Sequence, residues 1–325
     1  MNDPLRRLAE LLQDMQRKRG WSPEDLVAKA ELSPEELRAY ESDAASLSPT
    51  TAMKILVAMT EEEPAESFAD SPDWQSSPPQ WLYDQMEAKM KELEAALRID
   101  EGRFREALIL LDRALSLDSR RERRGRLLLS KAAVLGELHR KESALQALAQ
   151  AEACLDRVEE PALWMRLRLE QVYFLCQSQR HHEAAPWLEE ARELAARIGR
   201  DRERLQARLL GGWIAAASER SAEALEMLRG VAEELLAAHR VFDATAVEID
   251  VAGLLAGMGR QTEVIELAGR LEARTVRIPP QARTPLKVFC RLAQRGTLTA
   301  DMARRLGTEL RVAGGRLTRP YEIPI

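Results

Sequence analysis

Glu101-Gly102-Arg103-Phe104-Arg105-Glu106-Ala107-Leu108, followed by Leu111, Ala114-Leu115 and Leu117-Asp118, is the stretch that decides the fold. A glycine turn stands before an aromatic, and Ala107, Leu111 and Ala114 then fall on one helix face. Alanine at such a seam lets two helices approach closely. The same small-large-small pattern returns as Ala144, Leu148 and Ala151, as Ala184, Leu188 and Ala191, as Ala224, Leu228 and Val231, and as Val264, Ala268 and Leu271. The leading residues are spaced by 37, 40, 40 and 40 positions. A repeat at near-constant period predicts five helical hairpins stacked in a row.

The pattern resembles the tetratricopeptide repeat (TPR), whose second helix it matches. The period is longer than the usual one, which predicts an extra turn per hairpin or longer connectors such as Ile198-Gly199-Arg200-Asp201. The turn glycine is kept at Gly102 and Gly259 and replaced by His139, Gln179 and Glu219. Pro285–Arg295 and Thr299–Arg311 read as a last helix pair capping the array. Two prolines in Thr318–Ile325 predict an extended tail.

Composition agrees with an all-α chain. The 325 residues are 45% apolar but only 5% aromatic, with 16 glycines, and Leu, Ala, Arg and Glu predominate, which disfavours a sandwich or barrel. Uncharged runs such as Leu209–Ser218 are half the roughly 20 residues of a membrane-spanning helix, and Met1–Glu10 has no apolar core of a signal peptide. Cys154, Cys176 and Cys290 are odd in number and widely spaced, as free buried thiols of a cytoplasmic protein would be. The net charge of −5 is uneven: residues 61–80 hold 6 acidic and no basic residues. That acidic, Ser/Pro-rich stretch reads as a linker. It separates an N-terminal domain over 1–60 from a solenoid over 81–311, with a tail over 312–325.

The N-terminal domain reads as short capped helices. Leu5, Leu8, Leu11, Leu12 and Met15 share one face of a first helix. Ser22-Pro23-Glu24-Asp25 and Ser33-Pro34-Glu35-Glu36 are capping boxes with proline at the first helical position. Helices over about 23–30 and 34–42 then have helix-turn-helix spacing. The segment Trp21–Ser33, with Tyr40-Glu41 and Ile55-Leu56-Val57-Ala58, resembles the Cro/CI-like helix-turn-helix family. The resemblance implies a second helix, Pro34–Glu41, lying in the DNA major groove. Three departures work against phosphate contact: Pro23 replaces an early glutamine, Glu31 a turn glycine, and Ser42, Ala44 and Ala45 basic residues. The second helix also sets Glu35, Glu36 and Glu41 against Arg38 alone, where DNA affinity needs cations. Candidate phosphate contacts are Arg6, Arg7, Arg17, Lys18, Arg19 and Arg38.

In the TPR register the first helix of each hairpin lines a groove at Leu129 and Ala133, Leu169 and Tyr173, Leu209 and Trp213, and Ile249 and Gly253. All are apolar or aromatic, which suits a peptide or protein partner with an apolar or amphipathic segment; the competing reading is inter-repeat core. Lys/Asn pairs that read an acidic C-terminus, and asparagines that clamp a peptide backbone, are missing, since Asn2 is the only asparagine.

A basic cluster, Arg120, Arg121, Arg123, Arg124 and Arg126, offers a dock for the acidic Glu61–Glu66 run. His139, His181, His182 and His239 lack metal-ligand spacing, and Gly211-Gly212 and Gly314-Gly315 lack the context of a phosphate loop. No catalytic, cofactor-binding or metal-binding constellation emerges. The expectation is a non-enzymatic regulatory adaptor whose solenoid binds a peptide or protein, its helix-turn-helix serving interaction or homodimerisation. The other reading is a DNA-binding transcriptional regulator whose solenoid senses such a signal.

Overall fold

In a computed structural model, the described residues are 13, 16, 21–42, 51, 54–55, 80–118, 120–198 and 201–312. Among them the protein is all α-helix, with two short 3-10 turns and no strand. Two compact units divide between Leu127 and Leu128. The acidic stretch 61–79, the tail 313–325 and the Gly199-Arg200 connector lie outside the described residues.

In the first unit, α1 (Pro23–Ala30) and α2 (Pro34–Ser42) carry the expected capping boxes. Ser22 Oγ accepts from the Asp25 amide at 3.2 Å while Asp25 accepts from the Ser22 amide at 2.8 Å. Ser33 and Glu36 repeat the exchange at 3.2 and 2.7 Å. The turn between the helices is made by Glu31 at φ 50°, the left-handed conformation a glycine would adopt without cost. Leu26, Leu32, Tyr40 and Ile55 form the buried core here. Glu36 also accepts from Thr51 at 3.1 Å and Lys54 at 3.0 Å. Burial works to raise its pKa, but the bonds from Ser33, Lys54 and Thr51 outweigh it and hold Glu36 below its ordinary range. The same unit holds the hairpin of α3 (Gln80–Asp100) and α4 (Phe104–Leu117). It also holds the start of α5 (Arg121–Glu137), whose remainder belongs to the second unit.

The second unit continues with α6 (Lys141–Glu152), α7 (Pro161–Gln177), α8 (His181–Ile198), α9 (Asp201–Ala217), α10 (Ser221–Ala237), α11 (Val241–Gly257) and α12 (Gln261–Ala273). The last pair is α13 (Arg283–Gln294) and α14 (Ala300–Val312). Helices α7 with α8, α9 with α10 and α11 with α12 pack as hairpins, and each hairpin packs on the next through α8 with α9 and α10 with α11. All fifteen small-large-small seam residues, from Ala107 to Leu271, are buried. The long period comes mainly from helix length, since α7, α9, α10 and α11 are each 17 residues. Where the second helix is short, as in α6 with 12 residues, a loop bridges the gap. Its Asp156 carboxylate accepts from the Val158 amide at 2.7 Å.

One device closes every hairpin. Gly102, His139, Gln179, Glu219 and Gly259 all have φ between 59° and 73°. The arginine after each donates its amide to the carbonyl five residues back, as from Arg220 to Ala215 at 2.9 Å. The turns therefore keep one geometry whether or not glycine supplies it. His239, at φ 58° before Arg240, uses the same device between α10 and α11. In most cases the arginine pairs with an acid three residues on, as Arg220 with Glu223 at 2.8 Å and Arg240 with Asp243 at 3.0 Å. Most of these pairs are solvent-exposed and add little to stability, whereas the Asp243 carboxylate is buried.

Candidate ligand-binding cleft

The apolar positions of α7, α9 and α11 are consumed from both sides by their own and neighbouring hairpins. Leu169 and Leu209 are buried within this unit, and so are Leu129, Ala133 and Ile249. The expectation that these five line a partner groove is corrected: they are interior. Tyr173 and Trp213 remain half-buried, with ring centroids 6.1 Å apart and planes at 43°.

The open surface sits along a neighbouring stripe. A cleft of about 390 Å³ is walled by the end of α7, the turn to α8, the C-terminal half of α9, the middle of α11 and one face of α14. Trp213, Ala216 and Ala217 come from α9, Asp250, Gly253 and Leu254 from α11, and Arg304, Thr308 and Arg311 from α14. Sequence reasoning missed α14 because it lies outside the repeat register. Its signal was a polar Arg304, Thr308, Arg311 stripe at helical spacing beside a small Ala303, Gly307 stripe.

Helix α14 reaches this position because α11 offers no side chain to stop it. A Cβ at residue 253 would lie 3.1 Å from the Ala303 methyl, tighter than normal packing. The polar groups then lock the contact. Asp250 accepts from the indole Nε1–H of Trp213 at 2.9 Å and from Arg311 Nη2. The same nitrogen of Arg311 donates to the Ala246 carbonyl at 3.1 Å, and the guanidinium lies 5.2 Å from the Trp213 ring centroid. Trp213 is thereby held on one edge and covered in part on one face.

At the opposite side of the cleft stand Gln177, Gln179 and His181. Burial, and then the nearby Arg304 charge, hold the His181 pKa below its usual value, while a bond to the Gln179 carbonyl works the other way. Cys176 also borders the cleft, and burial pushes its thiol up to about 12; Cys290 is pushed to about 11, first by burial and then by Glu272. Both thiols are protonated at neutral pH and poor nucleophiles. Among the described residues no cluster of His, Cys, Asp and Glu could hold a metal ion, and no helix is long and apolar enough to cross a membrane.

A second polar assembly is fully satisfied and structural. Arg168 of α7 lies between the Trp164 and Trp187 rings, 4.5 and 3.8 Å from their centroids. It donates to Glu190 at 2.6 Å, Gln171 at 2.7 Å and Glu152 at 2.9 Å, tying α6, α7 and α8 together. With both faces covered and each of its three nitrogens donating within the fold, it serves as a structural tie.

The basic cluster is largely engaged within its own unit. Asp118, buried after α4, pairs with Arg123 at 3.1 Å and Arg120 at 3.4 Å. Arg124 donates to the Leu115 carbonyl at 2.8 Å, and Arg126 pairs with Glu122 at 2.5 Å. Arg121 is exposed. The cluster thus braces the α4–α5 junction, and its expected partner Glu61–Glu66 lies outside the described residues. Arg38 is exposed and donates its Nε to the Pro34 carbonyl at 3.0 Å. Arg6, Arg7, Arg17, Lys18 and Arg19 lie outside the described residues. Gly212 serves close packing, since a Cβ there would meet Leu228 at 2.7 Å.

These features define an all-α helical-hairpin repeat protein with a cleft walled on one side by α14. A crystal structure of a Rap protein complexed with Competence and Sporulation Factor is similar to this chain, with a TM-score of 0.56 and 13% identity, covering 93% of this chain and 84% of that one. At that identity the likeness is one of fold. No family model matches the chain. No curated protein matches it in sequence.

Proposed function

We propose that this protein is a non-enzymatic, cytoplasmic regulatory adaptor whose hairpin array binds a peptide or protein segment in the cleft. The carrying observation is Trp213: a large, half-buried aromatic, fixed by Asp250 and Arg311, in a concave site of the size used for small ligands. An aromatic held in one rotamer gives up little entropy when a partner side chain packs on it. The unpaired cysteines suit a reducing compartment. The N-terminal helices act in interaction or homodimerisation. The experiment is affinity capture from the native cell with wild-type protein and Trp213→Ala, with circular dichroism as the folding control. A partner held by the wild type and lost by a folded variant supports the reading; equal capture by both sinks it.

A transcriptional regulator with a Cro/CI-like domain is the second reading. It is favoured by the two capped helices α1 and α2 joined through Glu31, and opposed by the acids at the start of α2, Glu35 and Glu36. Retention of specific genomic fragments in a low-salt gel shift would put it first.

A further inference from the structure

The charge of the cleft is opposite to that of the chain. Its lining carries Arg304, Arg311 and one acid, Asp250, a sum of +1 with His181 neutral, in a protein whose net charge is −5. Asp250 is already committed, accepting both the Trp213 indole and the Arg311 guanidinium. That leaves Arg304, at the solvent-exposed rim of the cleft, as the cation of the lining not bound to Asp250. Among the described residues it pairs with Asp301 at 3.2 Å, and both side chains are mostly in solvent, 64% and 76% exposed. Exposed pairs of this kind are weak, so an entering anion displaces Asp301 easily. Apolar surface from Trp213 and Leu254 lies in the same cleft.

Resting on the cleft reading above, we propose that the site takes the end of a peptide chain, its free C-terminal carboxylate set against Arg304 and its bulky apolar last side chain against Trp213. A chain end is favoured over an internal acid because it carries charge and side chain on one α-carbon. A cleft of about 390 Å³ has room for only a few residues. Arginine binds carboxylates through a planar fork that lysine lacks, which also fits the carboxylate class. The repeat helices themselves supply no cation here. The recognition charge comes from α14, the helix that closes the array.

The test uses full-length protein labelled with fluorotryptophan, the Trp213 signal being assigned by its loss in Trp213→Phe. Three probes are titrated: acetyl-Ala-Leu-Phe as the free acid, the same tripeptide as the C-terminal amide, and acetyl-Ala-Glu-Phe amide. The free acid is expected to move the Trp213 signal, the amides to bind about tenfold more weakly, as expected for loss of one charge-assisted hydrogen bond. Arg304→Gln is expected to bring the acid down to the level of its amide and leave the amide unchanged. Equal binding of acid and amide overturns the carboxylate assignment while the cleft reading stands. Equal binding of the glutamate amide and the free acid overturns the chain-end assignment. A Trp213 signal unmoved by all three overturns this proposal and the cleft reading together.

Discussion

Arg311 of α14 and Trp213 of α9 meet on a single carboxylate, that of Asp250 in α11, so that three helices from distant parts of the sequence share one polar anchor. Removing the cation leaves Asp250 largely buried with a neutral donor alone. Arg311→Leu is expected to lower the stability of the second unit by about 3 kcal/mol, the usual cost of stripping one partner from a buried pair. Urea unfolding followed by Trp fluorescence measures it, and a loss below about 0.5 kcal/mol would mean the anchor is solvent-screened.

Close approach of α14 to α11 depends on the missing side chain at Gly253. Gly253→Leu is expected to push α14 away at a cost of about 1–3 kcal/mol, typical of overpacking. Hydrogen exchange should then rise across 300–312 and stay unchanged in α7 and α8. Protection of 300–312 equal to wild type would show that the contact accommodates the side chain.

Glu219 and His139 hold left-handed turns with ordinary side chains. Glu219→Gly and His139→Gly each relieve the Cβ clash and are expected to stabilise the fold by about 1 kcal/mol, set by the cost of this conformation for L-residues. Melting temperatures of the single and double variants check the sign and the additivity expected for distant sites.

Glu170 is fully buried beside Arg166, its Oε1 2.8 Å from Arg166 Nε, while its Oε2 has no hydrogen-bond partner. Burial raises its pKa above the ordinary 4.5, against the opposing pull of Arg166. A raised native pKa gives a stabilising term that is complete below the unfolded-state value and is lost as pH rises through the native one. Wild type is therefore expected to lose stability relative to Glu170→Gln as pH is raised from 4.5. Parallel pH profiles for the two proteins would show that Glu170 titrates as it does in the unfolded chain.

The hairpins were legible because alanine and leucine at a seam recur every 40 residues, and nothing in a folded array can move that seam to the surface. Even the turns at His139, Gln179 and Glu219 could be placed, although their side chains hide the conformation that glycine announces. The cleft was not legible for a physical reason. Its floor is made of small residues, Ala216, Ala217 and Gly253, which are silent in any hydrophobic pattern, whereas Leu169, Leu209 and Ile249 are loud and are all interior. The TPR register also places the groove on the repeat helices alone and leaves Thr299–Arg311 as a cap. The missing asparagines argue against a Lys/Asn pair within the repeats and against backbone clamping, and say nothing of a cation supplied from outside the repeats.

Ala303 lies 50 residues beyond the Gly253 it packs against. A nascent chain that has emerged as far as residue 299 already contains the hairpins from α3 to α12, yet it lacks one wall of the cleft and both of its arginines. Completion of the cleft therefore waits on synthesis through α14, and a product truncated before it lacks both Arg304 and Arg311.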